Sequence, residues 1–186
     1  MMQIRAALLR RIGAPSTTDT QVVDWGAIYA DQLPRVYNYF RFRTGDSLLA
    51  EDLTAATFEK AWRVRAQYRD DRGAVSTWLF TVARSVAASH FRQHTVLHQL
   101  PFAHAEDQAD GMSVADEAQH RSDLARLHAL LSRLPGRERE LIELKYGAAL
   151  TNRALAQLLE MSESNVGTRL HRIVARLRHE WEEHEI

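Results

Sequence analysis

The sequence predicts an all-α fold: two small helical domains joined by a flexible acidic linker, the C-terminal one containing a helix-turn-helix. Three observations carry that prediction. Strand-type alternation is nearly absent, and apolar residues recur at helical spacing from Trp25 to the C-terminus. Residues 93–122 lose that period and collect Glu106, Asp107, Asp110, Asp116 and Glu117 around Pro101 and Gly111. The expected divisions are an extension over 1–21, a first domain over 22–92, the linker over 93–122 and a second domain over 123–186.

The opening MMQIRAALLRRIG is basic and amphipathic, but arginines break its apolar runs too soon for a signal or membrane segment. It reads as a frayed helical extension, with a membrane-surface helix as the alternative. Trp25, Ile28, Tyr29, Leu33, Val36, Tyr37 and Phe40 then share one face, and Pro34 marks a kink or a break between two helices. Thr44-Gly45-Asp46 is a turn. A helix from Ser47 to about Arg65 turns Leu49, Leu53, Ala56 and Ala61 inward and carries Glu51 and Asp52 early, where the helix dipole favours acids. The stretch AQYRDDRGAV (66–75) has charge, Gly73 and no period, which describes a loop. Ser76 then caps a helix over 76–94. That helix buries Leu79, Val82, Ala83 and Val86 and turns Arg84, Ser85, Ala88, Ser89 and Arg92 outward.

Beyond the linker, Leu124, Leu127, Leu131 and Leu134 line one helix, Pro135-Gly136 breaks it, and Leu141, Ile142 and Leu144 lie on the next, which stops at Gly147. Thr151 caps a short helix. After a turn, Ser162 caps a longer one whose Val166, Leu170, Ile173 and Leu177 form a buried stripe, beside a second stripe of Asn165, Arg169, Arg172 and Arg176. With Ser164 and Thr168 near its start, this helix has the form of a reading head for duplex DNA, packed on one side and cationic on the other.

Composition narrows the function. Lys+Arg and Asp+Glu are equal at 24 each, so the chain is not built to coat nucleic acid indiscriminately, and local charge must act. All basic residues but Lys60 and Lys145 are arginine, which suits bidentate contacts to guanine and phosphate, although genomic composition explains the bias equally well. The absence of Cys excludes disulfides and thiolate metal sites and is compatible with a reducing cytoplasm. With no long apolar stretch, no membrane insertion is expected and the protein is expected to be cytoplasmic. His90, His94 and His98 stand at i, i+4 and i+8, a solvated helix face or a metal site; with no thiolate or acid among them, no metal is expected. No nucleophile elbow, phosphate loop, zinc motif or acid pair stands out, so neither an enzyme nor a cofactor is expected.

Two blocks resemble a known family. AEDLTAATFEKAW (50–62) with STWLFTVAR (76–84) is similar to the second conserved region of the extracytoplasmic-function (ECF) class of bacterial sigma factors. LSRLPGRERELIELKY (131–146) with TNRALAQLLEMSESNVGTRLHRIVARLR (151–178) is similar to the fourth. The resemblance implies a helix bearing Asp52, Leu53, Phe58 and Trp62 that docks on core RNA polymerase, although Phe58 and Trp62 also suit core packing. It implies a minus-ten promoter surface of Tyr68, Arg72, Arg84, Ser85, Ala88, Ser89 and Arg92, where cations hold a strand and an aromatic ring stacks a base. Trp78 there suits the core better than a DNA wedge. It further implies a minus-thirty-five surface of Ser164, Asn165, Thr168, Arg169, Arg172 and Arg176, and an anti-sigma partner. The sequence departs from the family at Ser85 and Ser89, where Asn and Asp are usual, at Glu160, where the turn usually has Gly, and at Gly167, where Lys or Arg is common. The linker would resemble the segment that enters the polymerase cleft, or act as a solvated spacer. Two other readings compete: a dimeric helix-turn-helix regulator that binds a palindrome without polymerase, and a helical interaction module that has lost promoter activity.

Overall fold

The computed structural model describes residues 23–69, 74–94 and 114–183. Within them the chain is helical and holds no strand. Three helices form the front half: α1 (Trp25–Thr44), α2 (Ser47–Arg63) and α3 (Val75–His94). The rear half has α4 (Val114–Arg133), α5 (Gly136–Ile142) running into a π-helical turn (Glu143–Gly147), α6 (Asn152–Leu158) and α7 (Glu163–Glu183). The expected extension over 1–21 and most of the expected linker lie outside the described residues.

α1 is a single helix. Asp24 caps it by accepting from the amides of Gly26 and Ala27 at 2.9 and 3.0 Å, and Gly45 ends it at φ 72°, a conformation that favours glycine. Pro34 neither breaks nor divides it. A proline inside a helix costs about 3 kcal/mol, but Val36, Tyr39 and Phe40 are completely buried just beyond it, and each large apolar side chain returns about 1.5–3 kcal/mol. Asp46 caps α2 through the Leu49 amide at 3.0 Å. α3 begins at Val75, so Ser76 stands inside its first turn rather than before it.

α4 begins at Val114, inside the stretch expected to be linker. Residues 114–133 contain neither Gly nor Pro, and leucines from Leu127 onward give the helix a face to bury.

The buried residues form one continuous core that runs through both halves, from Val36 and Phe80 to Leu144, Leu155 and Val166. The rear half seats on the front half by the backbone of its π-turn. A side chain at Gly147 would bring its Cβ within 2.9 Å of the Phe42 Cβ and 3.2 Å of the Tyr39 Cα, so only glycine allows this approach. Arg35 reaches across to the carbonyls of Ala148 and Ala149, each at 3.2 Å, and steadies a link in which Ala149 sits at φ 51°.

Candidate nucleic-acid interface

α6, the turn 159–162 and α7 form the helix-turn-helix. Both expected caps are in place: Thr151 Oγ1 accepts from the Ala154 amide at 3.1 Å, and Ser162 Oγ accepts from the Asn165 amide at 3.2 Å. Glu160 adopts φ 54°, the left-handed conformation for which glycine is usual, at a cost of about 1 kcal/mol. The helix tolerates this because Val166, Leu170 and Ile173 are buried against the rest of the rear half. Ser164, Asn165, Thr168, Arg169 and Arg172 are exposed along the opposite side. Asn165 Oδ1 accepts from Arg169 Nε at 3.0 Å, a bond that leaves the two terminal nitrogens of the guanidinium fork for another partner. Arg176 pairs with Glu138 on α5, so its charge is partly spent within the protein.

The front face is more engaged. Ser85, Ala88 and Arg92 are exposed on α3, and Ser89 is half-buried. Lys60 donates to Ser85 Oγ at 2.8 Å and Arg92 to Ser89 Oγ at 3.2 Å. Arg84 does not project outward as expected. Its Nε and NH2 donate to the two carboxylate oxygens of Glu140 at 2.8 and 3.3 Å, and NH1 donates to the Leu158 carbonyl at 3.1 Å. Tyr68, expected to stack a base, instead packs edge-on and tilted between Trp25 and Trp78 at centroid distances of 6.2 and 5.5 Å, because three aromatic rings cover one another's apolar faces there. Trp78 is half-buried against the core. Arg72 lies outside the described residues, as does His98; of the histidine series, His90 and His94 lie on α3, and the His90 ring meets Phe91. Among the described residues no group of three potential ligands could hold a metal.

On α2, Asp52 is exposed, whereas Leu53 and Phe58 are buried at 5% and 7% exposure. Those two therefore shape the helix from inside rather than touch a partner. Trp62 is half-buried, with the Arg65 guanidinium stacked 3.9 Å from its ring.

Sequence reasoning missed the charged groups between the halves. The buried Glu143 forms an ion pair with the half-buried Arg43, which also lies over the rings of Tyr39 and Phe91. Burial holds the Glu143 carboxyl above the usual range despite the attraction of Arg43 and Arg139. Burial also opposes charge on Arg43, but Tyr39, Glu143 and Glu140 outweigh it and keep the guanidinium protonated. The Tyr39 phenol is pushed up to about 12, chiefly by burial. One signal was legible: Glu143 interrupts the apolar series Leu141, Ile142, Leu144, and a carboxylate there needs a partner. Beside this pair, Arg84, Arg137 and Arg169 share with Glu138, Glu140 and Glu160 the lining of an open cleft of about 520 Å³. Arginines assigned to two separate promoter elements thus meet at one cleft.

The arrangement has known counterparts. The family models for sigma-70 region 2 and sigma-70 region 4 match residues 28–96 and 124–177, together about two thirds of the chain. The chain is similar to the ECF RNA polymerase sigma factor BldN of Streptomyces coelicolor, 26% identical over 154 residues that cover 82% of this chain and 58% of BldN. It is equally similar to SigL of Mycobacterium tuberculosis, 26% identical over 152 residues, covering 82% of this chain and 85% of SigL. Among solved structures, the sigma factor RpoE in complex with the anti-sigma factor NepR from Bartonella quintana shares the fold, with a TM-score of 0.65, 22% identity, and coverage of 85% of this chain and 96% of that one.

Proposed function

Because this chain belongs to the sigma-70 family, in its extracytoplasmic-function class, we propose that it binds core RNA polymerase and directs it to a distinct set of promoters. The observation that supports this best is the pairing, in one chain, of a region 2 match with a capped helix-turn-helix whose exposed stripe is cationic. The chain itself performs no chemistry. Asp52, on the exposed side of α2, contacts polymerase, with Trp62 at the margin. Arg92, Ser85, Ala88 and Ser89 on α3, together with Arg84 once released from Glu140, hold the opened minus-ten strand, and Tyr68 stands at its border. Ser164, Asn165, Thr168, Arg169 and Arg172 read the minus-thirty-five duplex, and Arg176 contacts it only by exchanging Glu138 for phosphate.

Two modest DNA sites on one chain gain affinity when polymerase fixes their spacing, and a net charge of zero fits that dependence on a partner. An anti-sigma factor is the expected negative regulator, as the RpoE complex illustrates for its own sigma factor. No described helix is long and apolar enough to cross a membrane, and the proposed site of action is the cytoplasm. Run-off transcription by core polymerase tests the function: promoter-specific product should appear only when the chain is added. Asp52→Ala should weaken capture of core polymerase in a pull-down while leaving helix content intact, and full capture by that variant would remove Asp52 from the contact.

A further inference from the structure

α3 and the helix-turn-helix touch in this structure, yet the elements they are proposed to read lie about 25 base pairs apart, roughly 80 Å along straight duplex. One molecule cannot read both while folded as described. The halves are held together by two kinds of contact. Gly147 against Phe42 and the pair of Arg43 with Glu143, whose carboxylate is only 4% exposed, form a drier inner set, to which Arg35 adds partly exposed bonds to the Ala148 and Ala149 carbonyls. Arg84 and Glu140 form a wetter outer one, with side chains 31% and 24% exposed.

The outer contact resembles a DNA contact in its chemistry. Arg84 grips two oxygens of one anionic group with two of its nitrogens, the geometry by which a guanidinium holds a phosphate. Its remaining terminal nitrogen bonds the Leu158 carbonyl, at the end of the first helix of the helix-turn-helix. One side chain of the minus-ten surface is therefore tied both to a carboxylate and to the backbone of the minus-thirty-five module.

We propose that Glu140 is a built-in stand-in for a promoter phosphate, which occupies Arg84 in the free chain and keeps the rear half latched over the minus-ten surface until a DNA strand displaces it. This rests on the assignment of α3 to DNA, but the latch is measurable without polymerase or promoter. Exposure of the Glu140 carboxylate makes the outer pair exchangeable, whereas the buried Glu143 carboxylate resists competition and makes closure the resting state. Single-stranded DNA bound by Arg84 and its neighbours thus favours the open chain, and the open chain binds DNA better by the same factor.

The test uses the full chain, whose lack of Cys permits two dyes to be placed at Ala56→Cys on α2 and Ala175→Cys on α7, both exposed. The unmodified latch should give a short inter-dye distance at low salt, lengthened by a random single-stranded DNA of about a dozen nucleotides. Glu140→Gln should raise the open population and the affinity for that DNA, each by roughly two- to fivefold, the range open to a partly exposed pair. Gly147→Ala should open the chain by a route that leaves the ion pair untouched, since its new Cβ meets Phe42. A distance that stays short in both variants, or an affinity that does not rise when the chain opens, overturns the latch. Because these readings use the free chain, that failure is distinct from failure of run-off transcription, which would overturn the sigma assignment instead.

Discussion

α3 and α7 are amphipathic helices of nearly equal length, 20 and 21 residues, each assigned to promoter DNA, but they meet solvent differently. α7 presents Asn165, Arg169 and Arg172 openly, and the bond from Arg169 to Asn165 orders the guanidinium for a partner. α3 has its chief cation, Arg84, held by Glu140 and by a carbonyl of α6, and its neighbouring aromatic ring, Tyr68, lodged between two tryptophans. The duplex-reading surface is preformed, and the strand-capturing surface is partly covered. The difference shows that a polar helix face becomes a binding face only when the rest of the chain has left its charges unclaimed.

The largest test of this contrast compares the two ion pairs between the halves. Glu143→Ala removes the buried carboxylate that holds the half-buried Arg43 and should lower stability by about 3 kcal/mol in chemical denaturation, the low end for a buried pair, whereas Glu140→Ala should change it by about 1 kcal/mol or less. Equal losses would abolish the distinction between an inner hold and an outer latch. Next in size, Arg169→Ala should weaken binding to the upstream element by about 1–3 kcal/mol and relax base preference at one position. Titration against promoter duplexes with single base changes checks this, and unchanged selectivity would return Arg169 to the solvated surface.

A smaller gain is expected at Gly167. The nearest neighbour of an added Cβ is Asn152 Nδ2 at 3.8 Å, so Gly167→Ala should stabilise α7 by about 0.5–1 kcal/mol in thermal melts. Gly167→Arg should in addition tighten duplex binding at low salt, where the family commonly places a cation. The smallest effect is one of pH. Because burial raises the folded carboxyl of Glu143 above its unfolded value, its contribution is fully present below about pH 4.3 and is lost as pH rises through the folded value. Glu143→Gln should therefore show a flatter melting temperature over that rise than the parent chain, and parallel curves would contradict the burial argument.

Legibility followed the range of the interaction. Thr151 and Ser162 as caps, Glu160 in the left-handed turn, and the stripe of Val166, Leu170 and Ile173 depend on neighbours within a turn or two, and all stand where the sequence placed them. Of the two readings of Pro34, the break between helices fails because its penalty is local while the burial that overrides it comes from packing. The residues 114–122 read as linker because their helix has little apolar face of its own. Leu53 stands inward where the spacing placed it, and Phe58 takes the core position that competed with the partner role implied by the resemblance.

By itself the sequence determined the all-helical class, the helix-turn-helix with its caps, and the cationic stripe of α7, since periodicity, capping and charge spacing are local properties. Only the tertiary structure decided that Gly147 would admit α1 at backbone distance, that Arg43 would find Glu143, and that Arg84 would hold Glu140 instead of solvent. Those outcomes join residues between about 50 and 100 positions apart, where no spacing rule operates and the pairing follows from which surfaces burial brings together.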